Sequence, residues 1–414
     1  MHRTKLLLGT VGCMMDEQTP VDAPALFTPL TVRGITLRDR AGVSPMCMYS
    51  AADGFANDFH LAHLGRFALG GAGLVLVEAT AVEPRGRISH HDLGLWDDSQ
   101  TAGLARIAEF LTAHGAVPAV QLAHAGRRAS VREPWHAGAP LDDSDAADGL
   151  GPWPVVGPSP IPAGSGWQEP KELDAAEIRE SVQAWAAAAK RAVQAGFSLI
   201  ELHGAHGYLL HSFLSPVSNQ RTDEYGGDAE KRMRYPLEVI RAVRAAIPDD
   251  VILSYRVSAV DGVVEGGTPF DAVVEFARRA GDAGVDIIDT SSGGISADRS
   301  VDTRVRRGFA FHADFARELR QRTGMLVACV GFVVDPEQAT RLIEEGSADI
   351  VLLGREMLDN PNWVQHARRQ LGADESQHWD QRFGSALTPR LHTLERLDAA
   401  GETPLSRFEQ SPVR

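Results

Sequence analysis

The feature that most constrains the fold is an eightfold alternation. Short apolar runs occupy 41–49, 74–81, 117–122, 198–202, 251–257, 286–290, 325–330 and 349–353, each with the length and composition of a buried strand. Between them lie stretches with helical periodicity: over 174–195, Ile178, Val182, Trp185, Ala189 and Val193 return every three or four residues, the spacing of one helix face. Gln-Ala-Gly-Phe before the fourth run, Asp-Ala-Gly-Val-Asp before the sixth and Glu-Gly-Ser-Ala-Asp before the eighth place a glycine just past a helix. Strands alternating with helices predict an α/β fold with a parallel sheet, and a count of eight selects the closed (β/α)8 TIM barrel over an open, doubly wound sheet.

The repeat is continuous from Ala41 to Met357. It predicts one barrel domain, 25–371, between an N-terminal extension, 1–24, expected to be disordered, and a C-terminal tail, 372–414. The apolar Leu6-Leu7-Leu8 is soon broken by Gly9, Thr10 and Gly12, so no export signal or lipid attachment at Cys13 is expected. A hairpin, 30–32 with 35–37 around Arg33-Gly34, precedes the first run. The segment 127–171 is rich in Gly, Pro and Asp and too long for a routine connection, so it is expected over the barrel mouth. Beyond Arg369 the periodicity fades, and the tail is expected as coil at a subunit interface of a homo-oligomer, dimer or tetramer.

Charge and cysteine usage bound the partners. A net charge of -14 argues against nucleic acid or an anionic membrane, which are bound through excess Lys and Arg. No stretch approaches the roughly 18 apolar residues that a membrane span needs. Cys13, Cys47 and Cys329 are scattered and odd in number, unlike a disulfide framework or a metal cluster, and a reducing cytoplasm is the expected location.

In such barrels the chemistry sits at the C-terminal strand ends. Here those ends carry Pro45-Met46-Cys47-Met48-Tyr49, Glu78-Ala79-Thr80, Gln121 to His124, His203 with His206 and Tyr208, Arg256, Ser291 to Gly294, Gly331 and Gly354-Arg355. No lysine lies among them to form a Schiff base. Glu78 is the one well-placed acid, whereas a glycosidase needs two. His203-x-x-His206 alone is a weak metal signal, and no metal is expected. The last strands do carry a positive clue. Ser291 to Gly294, Gly331 and Gly354-Arg355 offer backbone N–H groups and a guanidinium, a pattern suited to phosphate. Gln121 can both donate and accept at a ring edge, and Arg256 can stabilise developing negative charge. His203, His206 and Tyr208 are two imidazoles and a phenol able to hold an oxygen and deliver a proton. A non-redox barrel binding a phosphorylated metabolite is the remote alternative.

Four motifs extend this reading: Ser44-Pro-Met-Cys-Met-Tyr-Ser50, Gln121-Leu-Ala-His-Ala-Gly-Arg127, His203-Gly-Ala-His-Gly-Tyr208 and Ser215-Pro-Val-Ser-Asn-Gln-Arg-Thr-Asp-Glu-Tyr-Gly-Gly227. Over 26–370 the chain resembles the old yellow enzyme family of FMN-dependent ene-reductases, in its thermophilic-like and xenobiotic-reductase branch. The resemblance implies non-covalent FMN held by Pro45, Met46, Cys47, Ala79, Gln121, Arg256, Ser292, Gly293, Gly331, Gly354 and Arg355, with NADPH or NADH as hydride donor. It implies an α,β-unsaturated carbonyl substrate, an enone, whose oxygen is held by His203 and His206 while Tyr208 protonates the α-carbon after hydride transfer from flavin N5. Tyr49 corresponds to a substrate-contacting tyrosine, and Cys47 to a residue that tunes the flavin. Reduction of nitro compounds or other xenobiotics on the same scaffold is the alternative. Two positions depart from the branch: Arg127-Arg128 stands where Arg-Lys is usual, and Arg382 is only a loose counterpart of the arginine that the branch projects into a partner's site.

Overall fold

The computed structural model describes residues 23–298, 307–373 and 379–406. The eight expected runs all contain strands of one parallel barrel: β1 (Ala41–Val43), β2 (Leu74–Ala81), β3 (Val117–Ala123), β4 (Leu199–Gly204), β5 (Ile252–Ser258), β6 (Ile287–Ser291), β7 (Leu326–Cys329) and β8 (Ile350–Leu353). Each pairs with the next in parallel, and β8 closes the ring on β1 through Val351 opposite Ala41 and Leu353 opposite Val43. The first run is shorter than its apolar length suggests. Ser44 still donates its N–H to Leu353 at 2.9 Å, but Pro45 has no N–H to continue a ladder, so 45–49 leaves the sheet.

Alternation along the strands builds two cores. One set of side chains packs outward against the helices, as Val75, Val77, Ile200, Leu202, Leu253 and Val351 do. The alternate set fills the barrel. Low in the barrel it is apolar, with Leu74, Leu76, Ala119, Leu199, Ile252, Ile287 and Leu352 in one cluster with Val32 and Leu37. Those last two belong to the antiparallel hairpin Leu30–Val32 and Ile35–Leu37, which therefore stoppers the bottom. Higher up, the same inward positions become polar: Gln121, Glu201, Ser254 and Asp289, then His203, Arg256 and Ser291. The closed bottom and polar top leave one end of the barrel for chemistry.

The helix of 174–195 shows how local sequence sets an element. It runs Ala175–Gln194, and Asp174 caps it by accepting from the N–H groups of Ala176 at 2.8 Å and Glu177 at 2.9 Å. The Glu177 carboxylate returns the bond to the Asp174 N–H at 3.1 Å, closing a capping box. Its inner face buries Ile178, Val182, Trp185 and Ala189, and the Trp185 indole N–H finds the Tyr235 hydroxyl at 3.2 Å.

Two segments lie outside the regular repeat. The excursion contains short 3-10 turns and one two-residue parallel pairing, Val156–Gly157 with Lys171–Glu172, and it folds back over the strand ends. Arg127 pins it, donating to the carbonyls of Ile161 at 3.1 Å and Pro162 at 2.8 Å and also to Ile295 beyond β6. The tail is not coil throughout, because Gln381–Ala399 is a helix. Phe383, Leu387, Leu391 and Leu394 recur every three or four residues there, but Gly384 and Pro389 interrupt the pattern as apparent breakers. The expectation for 1–22 lies outside the described residues. No helix among the described residues is long and apolar enough to cross a membrane.

Candidate active site

At the top of β4 the chain turns sharply through Ala205 to Tyr208 into a short helix, Leu209–Leu214. Gly204 has no room for a side chain, since a Cβ there would lie 2.1 Å from the Tyr255 ring. His206 adopts a φ of 59°, a left-handed conformation that costs a non-glycine residue energy and must be held by its surroundings. The holding bonds are visible. Ser258 Oγ accepts from the His206 N–H at 3.1 Å, and His211 Nδ1 accepts from the Gly207 N–H at 2.8 Å. His211 Nε2 then lies 3.0 Å from Asp261 Oδ1, while Ser215 and Thr268 donate to Asp261 Oδ2. His211 thus braces the turn.

That brace brings His203, His206 and Tyr208 together. The His203 ring centre is 4.7 Å from Tyr208 and 5.0 Å from His206. Burial first, and the Arg256 guanidinium second, hold both imidazoles well below the ordinary histidine range, so both are neutral. Burial also raises the Tyr208 phenol, which keeps its proton. His203 Nδ1 accepts from the Ala205 N–H at 3.3 Å, so its own proton sits on Nε2. That Nε2 lies 3.3 Å from His206 Nδ1, and His206 Nε2 lies 2.7 Å from Ser291 Oγ.

Behind these residues is a buried polar layer. Gln121 donates through Nε2 to Glu201 Oε1 at 2.8 Å, and Ser254 donates to Glu201 Oε2 at 2.9 Å. This fixes the carboxamide, and among the described residues nothing donates to its Oε1. Arg256 is paired with Asp289 at 3.0 Å. Burial pushes both carboxyls up from their usual range, against the pull of Arg256. Glu201 and Asp289 were missed as site residues in the sequence, although they sit opposite Gln121 and Arg256 in the strand register and share their inward parity.

The remaining sites lie around the same rim. Pro45, Met46, Cys47 and Tyr49 follow β1, Ala79 is on β2, Ser292 and Gly293 follow β6, Gly331 follows β7, and Gly354 and Arg355 follow β8. Met48 donates its N–H to Glu78 at 3.0 Å, and burial, with a contribution from Asp92, pushes that carboxyl up to about 8. Burial likewise raises the Cys47 thiol, so it is not a thiolate nucleophile. His312, not anticipated, donates through Nδ1 to the Val330 carbonyl at 2.6 Å and accepts at Nε2 from Ser292 Oγ at 2.8 Å.

These groups fit a phosphorylated planar cofactor. A Cβ at Gly293 would meet nothing within 4 Å, and one at Gly354 only Met46 Sδ at 3.6 Å, so the backbone is open on that side. Arg355 is exposed beside it, and on the other side Gln121 is fixed by Glu201 and Arg256 is ion-paired with Asp289. Each is a group that could bind a phosphate or a heteroaromatic edge.

The excursion supplies aromatic cover. Trp135, 64% exposed, stands edge-on to Tyr49 with ring centres 5.9 Å apart. Its turn is tied down by Glu133 to His91 at 2.5 Å and by Arg132 to Asp145 at 2.6 Å. Tyr49, Cys47 and Tyr208 pack against one small apolar cluster with Trp153 and Trp167. Arg128, at the departure noted above, donates to the Gly294 carbonyl at 2.5 Å and lies over Trp167. Arg382 is elsewhere, paired with Asp380 at 2.6 Å beside His114. A cavity of about 850 Å³ under the C-terminal helix, lined by Leu69, Trp379, Phe383 and Leu391, is not part of this rim.

The chain is similar to known proteins over most of its length. A family model described as NADH:flavin oxidoreductase / NADH oxidase matches residues 25–374. The chain is 42% identical over 349 residues to an NADPH dehydrogenase of Geobacillus sp. (strain WCH70), covering 84% of this chain and 94% of that one. It is 41% identical over 363 residues to an NADH:flavin oxidoreductase of Gibberella zeae, covering 84% and 86%. Among solved structures it is similar to a morphinone reductase N189A mutant in complex with tetrahydroNAD, with a TM-score of 0.68 and 27% identity over 85% of this chain and 92% of that one.

Proposed function

The chain belongs to the NADH:flavin oxidoreductase / NADH oxidase family, as an old yellow enzyme, and from that premise we propose that it reduces the activated C=C bond of α,β-unsaturated carbonyl compounds. It is an NAD(P)H-dependent oxidoreductase with FMN as cofactor. The observation that carries the proposal is the pair of neutral imidazole nitrogens 3.3 Å apart, beside a protonated phenol, at the open end of the barrel.

In this reading Pro45, Met46, Cys47, Ala79, Gln121, Arg256, Ser292, Gly293, Gly331, Gly354 and Arg355 hold FMN. When bound, FMN supplies hydride transfer between the nicotinamide and the alkene. The protein's own residues do the rest. His203 Nε2–H and His206 donate to the substrate carbonyl oxygen, where negative charge grows as the β-carbon is attacked, so their bonds strengthen in the transition state. Arg256, fixed by Asp289, adds positive potential behind that oxygen. Tyr208 gives its hydroxyl proton to the α-carbon and recovers one from solvent, completing addition of hydride and proton across the double bond.

The same two donors suit a nitro group, so reduction of nitro compounds is the second reading. Steady-state turnover of cyclohexenone and of a nitroester with NADPH decides between them. Faster turnover of cyclohexenone to cyclohexanone is expected, and turnover of the nitroester alone would contradict the proposal. We further expect a cytoplasmic homo-oligomer. Scattered cysteines support the location, and the exposed Phe383 and Leu394 on the C-terminal helix support the association.

Trp135 bears on substrate choice. An exposed indole edge-on to Tyr49 offers a face to a flat or apolar substituent of the substrate. Trp135→Ala is expected to raise KM for an aryl-substituted enone about tenfold, the loss of one good aromatic contact, and KM for cyclohexenone less than about twofold. Steady-state kinetics on the two substrates checks this.

A further inference from the structure

We propose that a carbonyl oxygen binding between His203 and His206 switches His206 from its Nε2–H to its Nδ1–H tautomer, with the Ser291 hydroxyl turning from acceptor to donor to hold the switched ring. The inference rests on the carbonyl-clamp reading above and goes beyond it by assigning Ser291 as a positioning residue.

Protons can be counted along this chain of contacts. A neutral imidazole has one N–H and one acceptor nitrogen. The Ala205 N–H occupies His203 Nδ1 at 3.3 Å, which puts the His203 proton on Nε2. This nitrogen faces His206 Nδ1 at 3.3 Å. Two N–H groups cannot point at each other across that distance, so His206 Nδ1 is the acceptor. The His206 proton is then on Nε2, donated to Ser291 Oγ at 2.7 Å. As it stands, every ring nitrogen in the chain Ala205 to His203 to His206 to Ser291 has a partner, and His206 has no proton on the side where a ligand would sit.

An oxygen entering between the rings removes the His203 donor from His206 Nδ1. That oxygen needs a second donor, and His206 Nδ1 can serve only if it is protonated. Adding a proton outright would create a buried cation near Arg256, which both burial and that guanidinium disfavour. Moving a proton does not: solvent water at the open barrel end takes the proton from Nε2 and returns one to Nδ1, and the ring stays neutral. The vacated Nε2 then requires a donor. Among the described residues the Ser291 hydroxyl makes no other hydrogen bond, so its hydrogen can rotate onto Nε2. The backbone keeps the ring in place meanwhile, through the His206 N–H bond to Ser258 Oγ at 3.1 Å.

The test uses oxidised, FMN-loaded protein labelled with 15N-histidine, titrated with cyclohexenone in the absence of nicotinamide so that nothing turns over. A His206→Asn sample assigns the resonances. In the free protein His206 Nε2 is expected to be pyrrole-type and Nδ1 pyridine-type, and saturating cyclohexenone is expected to reverse them. Ser291→Ala should weaken cyclohexenone binding about tenfold, the order of one lost hydrogen bond at a buried group, and Ser291→Thr should restore it to within about twofold. A His206 that keeps Nε2–H with enone bound, or Ser291→Ala binding like the wild type, overturns the switch and leaves the clamp intact. A His203 signal unmoved at saturating cyclohexenone would overturn the clamp reading and the switch together.

Discussion

His203→Ala is expected to lower kcat/KM for cyclohexenone by about 10²- to 10³-fold, the cost of removing one preorganised donor to a developing oxyanion. His203 is the better placed of the two imidazoles for this role. It is buried on the inner face of β4, and the Ala205 N–H fixes its proton on Nε2, so no reorganisation is needed when charge develops. His203→Gln, which keeps an N–H donor, should recover part of the loss. The pH dependence has a definite sign. Both histidines are held below the usual histidine value and Tyr208 above the usual tyrosine value. None of the three changes charge between about pH 6.5 and pH 10, the unperturbed values of their types. The rate of enone reduction should therefore be flat across that window as far as these groups determine it. A histidine-like limb near neutral pH, abolished in His203→Ala, would show that the imidazole titrates and contradict this assignment.

Tyr208→Phe is the second large effect. Phenylalanine keeps the ring that packs 4.7 Å from His203 but removes the proton donor. Enone-driven reoxidation of the reduced enzyme should slow by about 10²- to 10⁴-fold, the range for loss of a general acid, while NADPH-driven reduction should change by less than about threefold. Rapid mixing resolves the two half-reactions. Equal loss in both would remove the proton-donor role and point instead to a damaged site.

Much of this architecture is legible in the sequence, for a physical reason. A parallel barrel imposes one rule, that side chains at the C-terminal strand ends converge, so locating eight apolar runs locates Gln121, His203, Arg256, Ser292 and Gly354 on a common rim. The same period-two rule could have identified Glu201 and Asp289, which carry inward parity and sit directly across from Gln121 and Arg256. What cannot be read in this way depends on contacts remote in sequence. Trp135 reaches Tyr49 only because His91 grips Glu133 and Asp145 grips Arg132, and no periodicity in the excursion records that. Ser291 touches His206 across 85 residues of chain, so its part emerges only from the closed ring. The tail helix was hidden by Gly384 and Pro389 within an otherwise regular apolar stripe.

The assignment of His203, His206 and Tyr208 to enone reduction is put to the test by mixing the anaerobic, NADPH-reduced wild-type protein with cyclohexenone and following the visible spectrum. The prediction is rapid return to the oxidised spectrum with one cyclohexanone formed per FMN. A reduced spectrum that persists with cyclohexenone, yet is promptly reoxidised by a nitroester, would contradict it.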